Sequence, residues 1–163
     1  TLFAPDEPIT RAEFITILYR MSRENSTTGS SGFSDVAANT YYSAAVAWGV
    51  RAGVTNGTSA TTFSPDAPIT REEICAMLYR YANYQGHNFS YTQAAQAFTD
   101  QNDISTYALS AVDTMHRSGI IDGYINGSFL PQGYANRAEA AKMLALLQQM
   151  ITSTTAVTAS YAA

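Results

Sequence analysis

Phe63-Ser-Pro-Asp-Ala-Pro-Ile-Thr-Arg-Glu-Glu73 decides how this chain is read, because the chain writes it three times. It stands at the start as Phe3-Ala-Pro-Asp-Glu-Pro-Ile-Thr-Arg-Ala-Glu13 and returns in weaker form as Phe129-Leu-Pro-Gln-Gly-Tyr-Ala-Asn-Arg-Ala-Glu139. Self-similarity of this kind marks stacked copies of one supersecondary unit. Every copy sets an arginine at the same place: Arg11, Arg71 and Arg137.

The block is a loop that runs into a helix. Thr10 and Glu13, and again Thr70 and Glu73, sit three apart before an apolar run. That is the capping-box pattern, in which the hydroxyl takes the N3 amide and the glutamate reaches back to the cap amide. Asn136 and Glu139 repeat it with Asn as the cap. Apolar residues then recur on one helical face: Phe14, Ile17, Leu18 and Met21; Ile74, Met77, Leu78 and Tyr81; Ala140, Met143, Leu144 and Leu147. The spacing predicts helices over 10–23, 70–84 and 136–151.

A preceding half is seen twice. Phe33-Ser-Asp35 matches Phe98-Thr-Asp100, Tyr41-Tyr-Ser-Ala-Ala-Val46 matches Tyr107-Ala-Leu-Ser-Ala-Val112, and Gly53-Val-Thr-Asn-Gly57 matches Gly119-Ile-Ile-Asp-Gly123. Helices are expected over 40–52 and 105–118, each stopped by a glycine able to take the left-handed C′ position. Asn25 to Gly32 is a Ser/Thr/Gly linker, and Gly86 to Ala97 a longer one. The segment after Ile151 shows no helical period and reads as a tail, a linker or a β-prone edge. The chain therefore divides into the second half of repeat one at 1–24, repeat two at 33–85, repeat three at 98–151 and a tail at 152–163. With no initiator Met and a start inside a repeat, it reads as a piece of a longer protein.

Such short two-helix units cannot each bury an apolar face alone, but several sharing a core can. The expected fold is mainly α, built of tandem helix-loop-helix repeats with little or no strand. Linker lengths suit a closed assembly and an open stack equally.

Composition narrows the function. Charged residues make up 13% of the chain, about half the ordinary share of ~25%. The net charge of −4 argues against a nucleic-acid binder, which carries a basic face. A single cysteine, Cys75, excludes an internal disulfide and reads as a small buried hydrophobe. No apolar run is long enough to span a membrane. His87 and His116 are isolated and lack the spacing of a metal pair, and there is no nucleophile elbow, phosphate loop or dinucleotide fingerprint. No catalysis, metal or cofactor is expected.

The ordered blocks Phe-x-Asp-Val, Tyr-Tyr-x-x-Ala-Val, Gly-Val-x-x-Gly, Phe-x-Pro and Ile-Thr-Arg-Ala-Glu resemble the S-layer homology domain from Phe3 to about Met150. That resemblance implies a pseudo-threefold assembly round a central three-helix bundle, on a secreted bacterial surface protein located in the cell wall or S-layer. It also implies grooves between units that hold a secondary cell-wall polysaccharide, often through a pyruvate ketal on an N-acetylmannosamine, with the motif arginine linked to that anionic ligand. The chain departs from the family pattern at Tyr41 and Tyr107, where Trp is preferred. It departs again at Asn136 for Thr, in the loop before it, which lacks the Asp-x-Pro of Asp66 and Pro68, and in the absent first half of repeat one.

Thr10, Glu13, Thr70, Glu73, Asn136 and Glu139 are read as structural caps. The arginines are not explained by the helix alone, since a cation in the first turn opposes the macrodipole by about 0.3–1 kcal/mol. One reading is an anion held at the helix start by backbone amides and paired with Arg11, Arg71 or Arg137. The other is an internal salt bridge, with Asp35 or Asp100 of a neighbouring copy as the partner, although both, like Asp6 and Asp66, read best as turn or cap acceptors. Tyr41, Tyr42 and Tyr107 are candidate sugar platforms as well as packing residues, while Trp48 reads as core or rim. Gly57 and Gly123 are expected in turns of positive φ, where backbone could also approach a ligand. The partner expected is a cell-wall polysaccharide with acidic groups, with neither nucleic acid nor membrane insertion. The alternative is a protein-interaction module that docks other surface-layer subunits.

Overall fold

The computed structural model describes residues 4–24 and 29–161. Phe3, part of the first linker and the last two tail residues lie outside that range. Five α-helices follow in order: α1 (Arg11–Met21), α2 (Ser43–Arg51), α3 (Arg71–Tyr84), α4 (Leu109–Arg117) and α5 (Arg137–Tyr161), with a 3₁₀ turn at Gln101–Asp103 before α4. Among the described residues there is no strand, only three isolated bridges: Thr10 with Pro68, Thr70 with Tyr134, and Pro8 with Asn136.

The helix ends follow from local chemistry. Thr10 and Thr70 take extended backbone, and their hydroxyls accept the amides of Glu13 and Glu73, whose carboxylates accept the cap amides in return. Asn136 and Glu139 do the same at 2.8 and 3.0 Å. α2 and α4 begin later than their periodicity suggests. Tyr42 and Ala108 occupy their N-caps and offer no side-chain acceptor, so the first residues of each stay in turns. Gly53 and Gly119 then follow the caps of these helices at φ of 68° and 72°, the left-handed C′ conformation.

One correction concerns the tail. α5 continues to Tyr161, past the Ile151 boundary read from periodicity. No Gly or Pro interrupts 137–161. The hydroxyls of Thr152 and Ser153 bond back to the carbonyls of Gln148 and Gln149, satisfying themselves within the helix.

The tight helix pairs cross repeat boundaries: α1 packs on α2, α3 on α4, and α3 also on α5. Phe14, Ile74 and Ala140, at matching places in the three repeats, are all fully buried in one continuous core with Phe63, Phe129 and Trp48. Ile17 and Met21 pack against that core from a half-buried position. Trp48 meets Tyr19, Tyr81 and Tyr84 with ring centroids 5.6 to 6.3 Å apart. Cys75 is fully buried, and burial pushes its thiol up to about 12, so it is no nucleophile at neutral pH. The longer link is strapped to the end of α4, where Thr92 and Gln93 donate to the Arg117 carbonyl and the Arg117 guanidinium lies 3.7 Å over the Tyr91 ring.

The three Phe-x-Pro loops join in a ring of backbone hydrogen bonds. Ile9 donates to the Ala135 carbonyl, Ala135 to that of Ile69, and Ile69 to that of Ile9. The contacts therefore close on themselves. In each loop the residue before proline takes positive φ although none is glycine: Ala4 at 46°, Ser64 at 58° and Leu130 at 55°. Asp35 holds one such bend by accepting the amides of both Phe63 and Ser64, and Asp100 holds another through Phe129 and Leu130.

Candidate functional site

The motif glutamates serve two units at once. One oxygen of Glu73 accepts the Thr70 amide, and the other lies 2.6 Å from Arg11 of the preceding repeat. Glu13 splits in the same way between Thr10 and Arg137, again at 2.6 Å. Glu139 divides between Asn136 and a longer approach to Arg71 at 3.8 Å. Arginine one thus meets glutamate two, arginine two meets glutamate three, and arginine three meets glutamate one. Asp35 and Asp100 are not the partners; they are spent on loop amides.

This ring answers the electrostatic question raised by a cation in the first turn. Arg11 is nearly fully buried, its Nε donates to the Phe63 carbonyl at 2.8 Å, and its guanidinium lies 4.9 Å over the Phe63 ring. Arg71 donates to the Phe129 and Asp122 carbonyls and stacks on Tyr124 and Phe129. Nor are free amides left at the helix starts. Arg11 and Ala12 donate to Ala67 and Pro65, Arg71 and Glu72 to Gly133 and Pro131, and Arg137 and Ala138 to Glu7 and Pro5, all at 2.9 to 3.1 Å. With the third amide taken by the cap, an external anion has no first-turn N–H groups to bind.

Two inter-unit grooves lie beside these ion pairs. The first encloses about 410 Å³ and is lined by Arg11, the Thr55 to Thr58 loop, Glu73, Ala76, Met77, Arg80 and Tyr107. The second holds about 170 Å³ between Arg71, the Ile120 to Tyr124 loop, Glu139, Lys142 and Met143. At the Arg137–Glu13 pair Tyr41 lies close by; burial and then the Glu13 carboxylate raise that phenol. The first and second grooves each bring together an arginine, a glutamate, a glycine loop and a tyrosine, Tyr107 in the first and Tyr124 in the second.

The glycines act by close approach. A Cβ on Gly57, at φ 78°, would lie 2.5 Å from the Thr62 carbonyl and 2.6 Å from the Phe33 ring. Gly123 does not take the positive φ expected of it. It is glycine because a Cβ would meet the Phe98 ring at 2.7 Å and the Ser128 carbonyl at 2.9 Å, and the left-handed residue of that turn is Gly127. Among the tyrosines, Tyr41 and Tyr107 keep 64% and 54% of their surface, whereas Tyr42 packs against the core and edge-on to Tyr41.

Sequence reading missed Glu72. It stands where repeats one and three carry Ala12 and Ala138, and that substitution within the motif was the available signal. Its buried carboxylate accepts from the Ser105 amide and hydroxyl, the Tyr107 hydroxyl and the Gln132 side chain at 2.7 to 3.1 Å. It thereby ties α3 to the start of the third repeat and fixes Tyr107 at the first groove, with the phenol proton committed. Burial first, then the Glu72 charge, raise the Tyr107 phenol. Glu72→Ala is expected to cost about 1–2 kcal/mol in urea unfolding, since four donors lose an acceptor but two of them can turn to water. The backbone tolerates Ala, as the other repeats show.

Carboxylates of the ring and of the loop clamps also set an acid response. Burial would raise Glu13, but the Thr10 amide and Arg137 outweigh it and hold it below the ordinary 4.5. Burial likewise works against Asp35, while the Phe63 and Ser64 amides hold it below 3.8. In both cases the unfolded chain binds protons before the folded one does. Their stabilisation is present in full above about pH 5 and is lost as pH falls through the depressed folded values. Thermal unfolding followed by circular dichroism should show a midpoint flat with respect to these two groups from pH 7 to about 5.5 and falling below pH 4.5.

Helix pairs joined across repeat boundaries and closed by a ring of inter-repeat ion pairs define an all-α tandem-repeat module. The chain belongs to the S-layer homology domain family, whose pattern matches residues 1–15, 32–75 and 97–141. It is 33% identical over 148 residues to an amylopullulanase of Thermoanaerobacterium thermosulfurigenes, covering 88% of this chain and 8% of that protein. It is 29% identical over 148 residues to a cellulosome-anchoring protein of Acetivibrio thermocellus, covering 88% and 32%. A surface-layer 125 kDa protein of Lysinibacillus sphaericus is 31% identical over 121 residues, covering 74% and 10%. The chain spans a third or less of each of these relatives. It is a module of bacterial cell-surface proteins, and no helix among the described residues is long and apolar enough to cross a membrane.

Proposed function

We propose that this module anchors its parent protein non-covalently to the bacterial cell wall by binding an anionic, pyruvylated secondary cell-wall polysaccharide in the grooves between its units. The observation that carries this reading is the first groove, a cleft of about 410 Å³ with charged ends and an apolar middle, whose walls come from all three repeats. Tyr107 offers an aromatic face there and a hydroxyl oxygen already oriented by Glu72. Gly57 lets the groove's loop close tightly on Thr62 and the Phe33 ring. Tyr41 and Arg137 beside the third ion pair, with Gly123 and Arg71 at the second groove, supply part of the same set, and Tyr42 backs Tyr41. The closed ring of hydrogen bonds and ion pairs supports relating the three units by a pseudo-threefold axis. Several such grooves on one frame would give avidity along a repeating polymer.

Relatives named for anchoring and for the surface layer support this assignment, and so does the recurrence of the module in polysaccharide-degrading enzymes of which it is a minor part. Catalysis by this module is not part of the proposal.

A second reading, docking to other surface-layer subunits, is favoured by a different observation. The motif arginines are spent on ion pairs between units, and Ile125, Leu130 and Tyr134 leave apolar surface exposed on the third repeat. Co-sedimentation with purified cell-wall sacculi separates the two. The anchor binds sacculi that retain their polysaccharide and stays in the supernatant once hydrofluoric acid has removed it. Equal sedimentation with both, or with neither, rejects the glycan anchor.

A further inference from the structure

We infer that Arg80, rather than the motif arginine Arg11, is the cation that meets the acidic group of the ligand in the first groove. This inference rests on the glycan-binding reading and names the residue that gives that groove its preference for acid.

Arg11 is poorly placed for the task. Its side chain is 3% exposed, its Nη1 is held by Glu73 at 2.6 Å, and its Nε is held by the Phe63 carbonyl at 2.8 Å. A ligand carboxylate would have to displace a buried ion pair to gain it, and removing a partner from such a pair is costly. Arg80 lines the same groove, is half-buried, and has no acidic partner among the described residues. A half-buried guanidinium with its fork unfilled favours a planar carboxylate, which it can take by two parallel hydrogen bonds.

Its place on the helix sets the geometry. Glu73, Ala76, Met77 and Arg80 fall on one face of α3, at intervals of three, four and seven. Seven residues rise about 10 Å. The groove floor thus runs from the Arg11–Glu73 pair at one end, over Ala76 and Met77, to a free cation at the other. A sugar ring lying on the apolar middle, beside Tyr107, would present an acidic substituent to Arg80.

The second groove lacks this arrangement. The matching position of α5 is Leu146, and Lys142 stands where α3 has Ala76. Lys142 faces Asp122 at 3.7 Å, and Asp122 replaces the neutral Asn56 of the first groove. The second groove sets two cations against two carboxylates, while the first sets two against one, with Glu72 saturated behind Tyr107. The two grooves therefore differ at three matched positions, Arg80 against Leu146, Ala76 against Lys142 and Asn56 against Asp122, and of the first groove's two cations only Arg80 has no acidic partner among the described residues.

The test is titration calorimetry with a secondary cell-wall polysaccharide bearing pyruvate ketals on N-acetylmannosamine, native and after mild acid removal of the ketals. Wild type, Arg80→Ala, Arg80→Leu and Lys142→Ala are compared, with unchanged thermal midpoints confirming the fold. The expected result is that wild type prefers the native glycan about tenfold or more, in line with a charge-assisted bidentate contact. Arg80→Ala and Arg80→Leu should lose that preference, binding both glycans as wild type binds the stripped one, while Lys142→Ala keeps it. Preference retained in both Arg80 variants, or lost in Lys142→Ala instead, overturns the role of Arg80 and leaves the glycan anchor standing. Equal wild-type binding to both glycans removes the acidic contact altogether, and binding to neither removes the anchor with it.

Discussion

Arg11→Met should lower the unfolding free energy by about 3 kcal/mol, the low end of the cost of breaking a buried ion pair. The side chain is 3% exposed, and its loss strands the Glu73 oxygen 2.6 Å away and leaves the Phe63 carbonyl without its donor. Glu73 keeps 22% of its side chain in solvent, which limits the penalty. Urea unfolding monitored by circular dichroism measures it. The double variant Arg11→Met with Glu73→Gln should recover part of the loss, because Gln still accepts the Thr70 amide and no unpaired charge remains. Arg137→Met is the internal contrast. That pair has the same 2.6 Å separation but sides that are 32% and 29% exposed, so it should cost no more than about 1 kcal/mol. A larger loss at Arg137 than at Arg11 would mean that burial does not set the strength of the ring.

Phe63→Ala should be at least as damaging, at about 3–5 kcal/mol. The ring is fully buried, packs 6.0 Å from Phe33, and carries the Arg11 guanidinium over its face. Its amide is held by Asp35 and its carbonyl holds Arg11, so one residue joins the core, the strained loop and the ion-pair ring. Truncation removes the ring that supports Arg11, which lines the first groove, so glycan affinity should fall with stability. Phe63→Leu, which keeps most of the volume, should retain more of both. Unfolding midpoints read together with glycan titration distinguish a collapsed groove from one that merely loses a contact.

Much of this architecture was written in the repeats. The Thr-x-x-Glu spacing, the apolar stripes of α3 and α5 and the glycines after α2 and α4 are local signals, and local signals are what one sequence carries well. The long-range partners were not legible. Asp35 and Asp100 close their loops as their turn reading expects, but they are not the arginines' partners, and the acid that pairs with Arg11 lies 62 residues away inside the next capping box. A glutamate fully explained by its cap gave no sign of a second oxygen to spare. The bends at Ala4, Ser64 and Leu130 were hidden because no glycine marks them; carboxylate clamps hold Ser64 and Leu130 there instead. Gly123 misled in the opposite direction, since crowding by Phe98 requires it rather than its own φ. Arg80 drew no notice because it lies outside the repeated block, although α1 matches it with Arg20 and α5 with Leu146.

The most direct measurement is a backbone-amide NMR titration of the ¹⁵N-labelled module with short chains of the pyruvylated polysaccharide. If the first groove holds the glycan, the largest shifts fall on Asn56, Gly57, Thr58, Ala76, Met77 and Tyr107, with Ile125 and Leu130 unmoved. Shifts confined to the exposed apolar loop of the third repeat, or none at all at saturating glycan, would contradict a groove-bound polysaccharide anchor.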